Sequence, residues 1–328
     1  MWGPIELSGD GLVDALTAPV EPDFAGGVVV VHGDLPDPDD PRRRTAVERL
    51  VTLPCVVAGT DVASEPDELV DVVAADDAEL SDVLATVQLA PVASVSLALH
   101  LRASPRRGVA DGLVAESALY SALQAGPEHA AWRSSTPRRR REDPDPHRPR
   151  VAVERDGAVL RLTLCRPQVR NALDSRMRDE LLEALGVALA DPSTSVELRG
   201  EGGSFCSGGD LDEFGTAPDP ATAHVVRLRT SLGAVLSRLS DRTTVHVHGP
   251  CAGSGVELPA FAGQVVAAPD TTVRLPELGM GLVPGAGGTV SLPRRIGRHR
   301  TAWLALTRRQ IGAERAHSWG LVDTLSII

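Results

Sequence analysis

The chain contains no lysine, so all 33 of its Lys and Arg residues are arginine. Without lysine a protein cannot use a P-loop lysine to bind nucleotide phosphates, and it cannot form a Schiff base with pyridoxal phosphate or a carbonyl substrate. Aromatic residues are also scarce, at 3% of the sequence, although 42% of the 328 residues are hydrophobic. That length and hydrophobic content are enough for one large domain or two small ones.

Cysteine and positive charge are limited as well. The four cysteines are far apart and form no CxxC pair, which predicts a reduced, cytoplasmic protein without structural zinc. The net charge of −11 argues against nucleic acid as the main partner. The N-terminus has no basic segment followed by an apolar one, and the longest uncharged run contains polar residues and a proline. We therefore expect neither a signal peptide nor a membrane partner.

A segment rich in proline and charge divides the chain at 133–150. Its residues 138–141 are four consecutive arginines that could contact phosphate, but the acidic residues after them favour a solvated linker. The predicted linker separates an N-terminal region, 1–132, from a second region, 151–328. Patterns typical of strands, loops and helices alternate through the second region, which predicts an α/β fold.

Several elements of the second region are well marked. Asp156-Gly157 lies between two alternating segments and predicts a hairpin turn. Asp174 or Ser175 is a candidate N-cap for an amphipathic helix. A second amphipathic helix is predicted, and its apolar face is formed by Val225, Leu228, Leu232, Val235, Leu236 and Leu239.

Two glycine-rich loops are candidates for chemistry. They are GEGGSFCSGGDL at 200–211 and HGPCAGSGVEL at 248–258. Small residues at such turns allow backbone N–H groups to point into a cavity, and two N–H groups aimed at one oxygen form an oxyanion hole. Taken alone, either loop could be a tight turn without a functional role.

Two glutamates, Glu257 and Glu277, lie in sequence that is otherwise apolar and rich in glycine. Burial raises carboxyl pKa values, and the pKa values of two neighbouring carboxyls move further apart. One carboxyl can then be protonated while the other is ionised, so such a pair suits acid/base catalysis. The structural alternative is that each pairs with an arginine such as Arg274 or Arg294. His246 and His248 alternate along one predicted strand without an evident third ligand, and we expect no metal site.

Taken together and in this order, the motifs resemble the enoyl-CoA hydratase/isomerase (crotonase) family. The resemblance covers nearly all of 151–323. The segments that carry it are CRPQVRNALDSRMRDEL (165–181), GGSFCSGGDLDEF (202–214), VHGPCAGSGVEL (247–258), LPELGMGLVPGAGGTVSLPRRIG (275–297) and AHSWGLVD (316–323). The resemblance implies an α/β fold, a crotonase-like ββα spiral that binds acyl-CoA thioesters, with a smaller degenerate α/β region before it.

The resemblance also implies a reaction, in which a hydratase-like lyase adds water to a 2-enoyl-CoA thioester or removes it. By position, Glu257 would activate the water and Glu277 would exchange the α-proton. The backbone N–H groups of Ser207 and Ser254 would form the oxyanion hole, although the family usually has glycine at the position of Ser254. Isomerisation of a double bond, or a role as a non-catalytic partner protein, are the alternatives.

Further site residues follow from the same resemblance. Asp210 is expected to brace its turn rather than to react. Coenzyme A is part of the substrate, so no separate cofactor is implied, and a homo-oligomer built from trimers is expected. Contacts with CoA or substrate are expected from Arg170, Asn171, Ala172, Leu173, Phe205, Gly208, Gly209 and Asp210.

The N-terminal region resembles a reduced copy of the second region. Val-Val-Ala-Ala-x-Asp occurs at both 72–77 and 265–270, although a chance match of two apolar strands is the alternative. Residues 84–101 and 108–133 resemble the terminal helices of the crotonase family, which cover the site. We therefore expect 1–132 to be a catalytically silent copy whose helices cover the second copy's site, within one chain or between subunits.

Overall fold

The computed structural model describes residues 4–20, 22–24, 27–61, 67–138, 145 and 147–326. Three of the four consecutive arginines in the predicted linker, at 139–141, lie outside the described residues.

The N-terminal region begins with a parallel sheet. Its strands are β1 (Ile5–Ser8), β2 (Val28–His32), β3 (Val56–Thr60) and β4 (Val72–Ala74), in the spatial order β1-β2-β3-β4. Helices α1 (Gly9–Thr17) and α2 (Arg43–Leu50) connect the first three strands. β2 and β3 are buried along nearly their whole length, which explains their continuous valine-rich sequence.

Four helices follow this sheet: α3 (Asp77–Leu89), α4 (Pro91–Arg102), α5 (Val109–Gln124) and α6 (Pro127–Ser135). Prolines begin α4 and α6, where a missing N–H costs no helical hydrogen bond. Because α6 ends at Ser135, it extends three residues into the predicted linker. No single helix of the described chain is long and apolar enough to cross a membrane. One pair, Asp77–Leu89 with Pro91–Arg106, passes this test of length and composition together but is bent by 112°.

The second region contains the remaining elements. Its strands are β5 (Val151–Asp156), β6 (Val159–Leu164), β7 (Ser195–Gly200), β8 (Thr243–Val247), β9 (Pro250–Ala252), β10 (Gln264–Ala267), β11 (Thr272–Arg274), β12 (Ile311–Gly312) and β13 (Thr324–Leu325). Its helices are α7 (Ser175–Ala190), α8 (Pro220–Arg229), α9 (Leu232–Arg238), α10 (Ser254–Glu257), α11 (Gly288–Ile296), α12 (Arg298–Thr307) and α13 (Ala313–Ser318).

Two sheets share these strands. The larger has the order β13-β10-β8-β7-β6-β5 and the smaller has the order β12-β11-β9. Successive strands alternate between the sheets, since β8 and β10 lie in the larger sheet while β9 and β11 lie in the smaller. This alternation, with helices between the turns, is the expected ββα spiral.

The local predictions for the second region are confirmed in part. β5 and β6 form the expected hairpin, and Asp174 caps α7 by accepting a hydrogen bond from the amide of Met177. The prediction of a single second amphipathic helix is wrong. It is divided into α8 and α9 because Ser231 starts a new helix as its N-cap. Val225, expected in the core, is 54% exposed.

The two regions share a hydrophobic core. Leu97, Leu101 and Tyr120 from the first region pack in one buried cluster with Leu275 and Leu304 from the second. The two regions are therefore packed against each other, although the first region also has a buried cluster of its own that includes Leu12, Val31 and Leu50.

Polar contacts also join the two regions. The buried Arg102 guanidinium on α4 lies 2.6 Å from the carboxylate of Asp71, and Arg298 on α12 approaches the same carboxylate. The indole N–H of Trp303 on α12 donates to Glu79 on α3 at 2.8 Å.

Candidate active site

Glu257 and Glu277 follow two neighbouring strands at the point where each strand ends. β9 and β11 are parallel, and Ala252 at the end of one strand pairs with Arg274 at the end of the other. Glu257 is the last residue of α10, which begins two residues after β9, and Glu277 begins a 3-10 turn three residues after β11. The carboxyl ends of adjacent parallel strands meet at one edge, so the topology brings the two acids together.

The turn at Gly253 shows how close the two carboxyls are. A Cβ atom on Gly253 would lie 2.6 Å from Oε1 of Glu277 and 3.8 Å from Oε1 of Glu257. Both oxygens therefore lie a few ångströms from one point beside the backbone. Gly253 also has a φ of +50°, which glycine adopts without strain.

The two carboxyls have different hydrogen-bond partners. Oε2 of Glu257 accepts from the backbone amides of Ala286 at 2.7 Å and Gly288 at 2.8 Å. Oε2 of Glu277 is buried and has no hydrogen-bond partner among the described residues. The hydrogen-bonding capacity of this oxygen is therefore unused by the described residues.

The alternative of pairing with arginine does not hold. Among the described residues, no arginine forms an ion pair with either carboxylate within 4.0 Å, although the charge of Arg274 acts on Glu277 from farther away and lowers its pKa. Arg294, one of the two candidates, donates instead to the backbone carbonyl groups of Val290 and Arg107.

A third buried acid, Glu116 on α5, lies near the pair. It is 2% exposed, and its charge acts on both glutamates. Sequence reasoning missed it, because it is a single acid within a helical pattern, 141 positions before Glu257. Its place between small and apolar residues in LVAESAL, on the face shared with Leu113 and Tyr120, was the available signal.

The environment raises the proton affinity of all three acids. Burial, followed by the charges of Glu277 and Glu116, raises the pKa of Glu257 well above its usual value. Burial likewise raises the pKa of Glu277 to about 7 and the pKa of Glu116 to about 7. Near neutral pH the three carboxyls cannot all be ionised, so the site can both donate and accept a proton.

A cavity of about 460 Å³ contains the two glutamates. Tyr120 and Gln124 of α5 form part of its wall, so the N-terminal region covers the site within the same chain. The ring of Tyr120 packs directly on Gly285, where a Cβ atom would lie 2.2 Å from it. Helix α5, within the predicted helical segment 108–133, therefore forms part of the cavity wall. Whether the first region is a decayed copy stays a prediction.

A groove of about 750 Å³ meets this cavity at Gly209 and Asp210. Arg170 and Ala172 border it, as expected for contacts with CoA, and Leu173 borders the cavity. Oδ2 of Asp210 accepts a hydrogen bond from Arg166 at 3.0 Å, and its role in bracing the turn stays a prediction.

Three of the expected contact residues border neither the groove nor the cavity. Asn171 and Phe205 are 0% and 2% exposed, and Gly208 is buried as well. The side-chain amide of Asn171 donates through Nδ2 to the backbone carbonyl groups of Glu201 and Ser204, each at 2.9 Å. Asn171 therefore holds the 201–204 loop in place rather than facing a ligand.

The oxyanion-hole prediction needs a correction at Ser207. Its amide donates to the carbonyl of Arg170 at 3.0 Å, so this N–H is already used within the protein. Among the described residues, the amides of Gly209 and Ser254 have no acceptor, and both residues border the cavity with the glutamates. Gly209 therefore replaces Ser207 as the candidate donor, while Ser254 remains. The sequence alone cannot tell which of Ser207 and Gly209 has a free amide, because this depends on one backbone hydrogen bond between Ser207 and Arg170.

Comparison with known proteins agrees with this geometry. A family model described as Enoyl-CoA hydratase/isomerase matches residues 154–326. The 2,3-dehydroadipyl-CoA hydratase of Escherichia coli is 36% identical over 174 residues, which cover 53% of this chain and 68% of the relative. The 1,2-epoxyphenylacetyl-CoA isomerase of the same organism is 36% identical, over 50% of this chain and 64% of the relative. The matched segment thus spans about two thirds of these curated relatives.

Solved structures give the same result. The crystal structure of an enoyl-CoA hydratase from Thermoplasma volcanium superposes with a TM-score of 0.51 at 29% identity. The match covers 55% of this chain and 72% of that one.

Proposed function

Because the chain belongs to the enoyl-CoA hydratase/isomerase family, we propose that it adds water to a 2-enoyl-CoA thioester or removes it in reverse. The observation that carries this proposal is a pair of buried carboxyls, Glu257 and Glu277, in one cavity with the free amides of Gly209 and Ser254. Coenzyme A enters as part of the substrate, so we propose no separate cofactor or metal. The trimeric assembly and the cytoplasmic location stay predictions.

The hydrogen bonds support an assignment of roles. Burial and the neighbouring acids raise the pKa of Glu257, but the two amide donors at its Oε2 oppose that rise, and we assign the ionised form, which suits a base, to Glu257 because of these donors. The buried, unpartnered Oε2 of Glu277 favours the protonated form, which suits an acid. One proton shared between the pair therefore lies on Glu277 at the start of hydration.

The reaction would proceed through an enolate. Glu257 takes a proton from water while the water oxygen bonds to the β-carbon, and the electrons of the double bond move toward the thioester oxygen. The amides of Gly209 and Ser254 stabilise the negative charge on that oxygen. Glu277 then gives its proton to the α-carbon, the carbonyl re-forms, and exchange with solvent restores the starting protonation.

A second candidate is isomerisation of an enoyl-CoA double bond. The unpartnered oxygen of Glu277 favours it, because one carboxyl can move a proton between two carbons. The 1,2-epoxyphenylacetyl-CoA isomerase is as similar to this chain as the hydratase, although its named substrate is an epoxide rather than an enoyl thioester. The two candidates differ in whether water enters the product.

The experiment for this proposal uses purified full-length protein and a short 2-enoyl-CoA. We expect the absorbance of the conjugated thioester to fall with time, because hydration removes the conjugation. Unchanged absorbance, together with CoA-ester binding, would instead favour a non-catalytic partner protein.

The oxyanion donors can be tested at Ser254, the first residue of α10. Ser254→Gly removes the hydroxyl but keeps the amide and should stay active, whereas Ser254→Pro removes the hydroxyl and the N–H at the first position of the helix, which tolerates proline. We expect the proline variant to lose about 10²-fold in turnover, the usual effect of removing one donor. Full activity in the proline variant would exclude this amide from the mechanism.

Arg170 provides a test of CoA binding. It is exposed, borders the groove, and forms no ion pair among the described residues. Arg170→Ala should raise KM for the CoA thioester about tenfold, the scale of one charge-assisted hydrogen bond, and leave kcat unchanged. An unchanged KM would place CoA elsewhere. Arg155→Ala, on the hairpin, is the control.

A further inference from the structure

Glu116 binds a loop that also holds Glu257. Its Oε1 accepts from the amide of Gly287 at 2.7 Å. Its Oε2 accepts from the amide of Thr289 at 2.9 Å and from the hydroxyl of Thr289 at 2.7 Å. Glu116 belongs to the N-terminal region, so these hydrogen bonds join parts of the chain that are separated by 171 and 173 positions.

Glu116 and Glu257 divide four successive amides between them. Glu257 accepts from Ala286 and Gly288, while Glu116 accepts from Gly287 and Thr289. Each carboxylate therefore accepts from alternate amides of this turn, where Gly287 has a left-handed backbone with φ +101° and Gly288 begins α11. We call residues 286–289 the clamped loop. Its position is set by one carboxylate from each region of the chain.

The clamped loop has little room to shift. A Cβ atom on Gly288 would lie 2.6 Å from Cγ of Glu257, so the loop backbone packs directly on that side chain. The loop begins α11, whose N-cap Gly287 has no side chain to bind the first amides. Glu116 therefore satisfies the amide of Thr289, which an N-cap side chain would usually bind, together with the amide of the N-cap residue Gly287 itself.

A chain of donors leads toward Glu116. Arg107 donates to Nδ1 of His100 at 3.0 Å, so the proton of the neutral ring lies on Nε2. Nε2 is 3.0 Å from the hydroxyl of Thr289, and that hydroxyl donates to Glu116. Burial, followed by the charge of Arg107, lowers the pKa of His100 to about 4, which keeps the ring neutral near pH 7. All these donors favour a carboxylate at Glu116 that accepts hydrogen bonds.

We propose that Glu116 is a positioning residue for Glu257, which fixes the clamped loop and thereby aims the free Oε1 of Glu257 at the substrate. The role rests on the proposed function, since Glu257 is the base of that reaction. It differs from simple helix capping, because Glu116 accepts from the amide of Gly287 as well as from that of Thr289, whereas an N-cap side chain binds only an amide two or three residues after it.

The charge of Glu116 has a second, separable effect. The groups that face it are Arg227 from α8, His100 from α4, Tyr120 from its own helix, and the two glutamates. Arg227 lowers the pKa of Glu116, whereas the charge of Glu116 raises the pKa of Glu257. Removing that charge lowers the pKa of Glu257, so the acidic limb of the kcat/KM profile should move to lower pH.

Two variants separate position from charge. Glu116→Gln removes the charge and one of the two acceptors, while Glu116→Asp keeps the charge but is one carbon too short to hold both amides. Both should lower kcat by about 10²-fold, because small misplacements of a catalytic group have effects of this size. KM for the CoA thioester should stay near the wild-type value, and only Glu116→Gln should move the acidic limb. Asp111→Asn, an exposed acid on the same helix, is the matched control.

Amide hydrogen exchange of full-length protein provides a readout that does not depend on turnover. We expect faster exchange in the peptide containing Gly287 and Thr289 for both Glu116 variants, and unchanged exchange for Asp111→Asn. A wild type without hydration activity would overturn the proposed function, while this exchange would still test the clamp. If Glu116→Gln fails to fold, Glu116→Asp supplies both the kcat and the exchange measurements.

Three results would overturn the role of Glu116. Wild-type kcat in a folded Glu116→Gln protein is the first, and unchanged exchange in the loop is the second. The third is a lower melting temperature with unchanged kcat and pH profile, since that outcome describes a stabilising residue only.

Discussion

Glu277→Gln is expected to lower the hydration rate at least ~100-fold, the usual scale for loss of a general acid. Glutamine has nearly the same shape but cannot deliver a proton from the unpartnered Oε2 position. Affinity for a CoA ester should change little, because the groove at Arg170 is untouched. The measurement is kcat and KM with a short 2-enoyl-CoA, with Glu314→Gln, an exposed acid on α13, as the control.

Glu257→Gln should have an effect of similar size for a different reason. Its amide oxygen can still accept a hydrogen bond from the 286–288 amides, so the loop can stay in place while the base is lost. Near-normal turnover in either glutamine variant would show that the two-carboxyl mechanism is wrong for this protein.

The pH profile follows from the same groups. Burial raises the pKa of Glu277 to about 7, so this acid loses its proton, and hydration loses its proton donor, as pH rises above that value. We therefore expect the rate of hydration to fall on the alkaline side of neutrality, and this limb should be absent in Glu277→Gln. An identical limb in the variant would assign it to another group.

Removing the N-terminal region is the second change with a large expected effect. A fragment of residues 151–328 should be aggregated or unable to bind CoA esters, because α3, α4 and α5 contribute buried side chains to the shared core. It would also lose Tyr120 and Gln124 from the cavity wall. Co-expression with residues 1–150 should restore soluble, active protein.

The control for this experiment is a substitution rather than a deletion. Trp303→Phe removes the hydrogen bond to Glu79 but keeps most of the apolar contact, so it should fold and retain activity. A soluble and fully active fragment 151–328 would contradict the role of the N-terminal region and make it an independent module.

Local patterns predicted much of the second region. The hairpin near Asp156-Gly157 and the Asp174 cap depend on neighbouring residues, and both are present. The helix over 225–239 failed because the apolar spacing continues across Thr230 and Ser231, where the backbone starts a new helix. Hydrophobic spacing alone does not reveal such a break.

The site was predictable only where motifs mark it. Glu257 and Glu277 stand in distinctive sequence, and the strand order brings them together. Glu116 could not be predicted, because its partners lie more than 170 positions away and are backbone amides. The choice of Gly209 over Ser207 likewise depends on which amide the carbonyl of Arg170 already binds.

The central claim, that two buried carboxyls add water to an enoyl thioester, is tested most directly by the mass of the product. Full-length protein would be incubated with a short 2-enoyl-CoA in heavy-oxygen water, and the CoA esters would be analysed by mass spectrometry. We predict a product heavier by one labelled water, formed by wild type and by Glu314→Gln but not by Glu277→Gln. A product of unchanged mass with a moved double bond, or no product at all, would contradict the account.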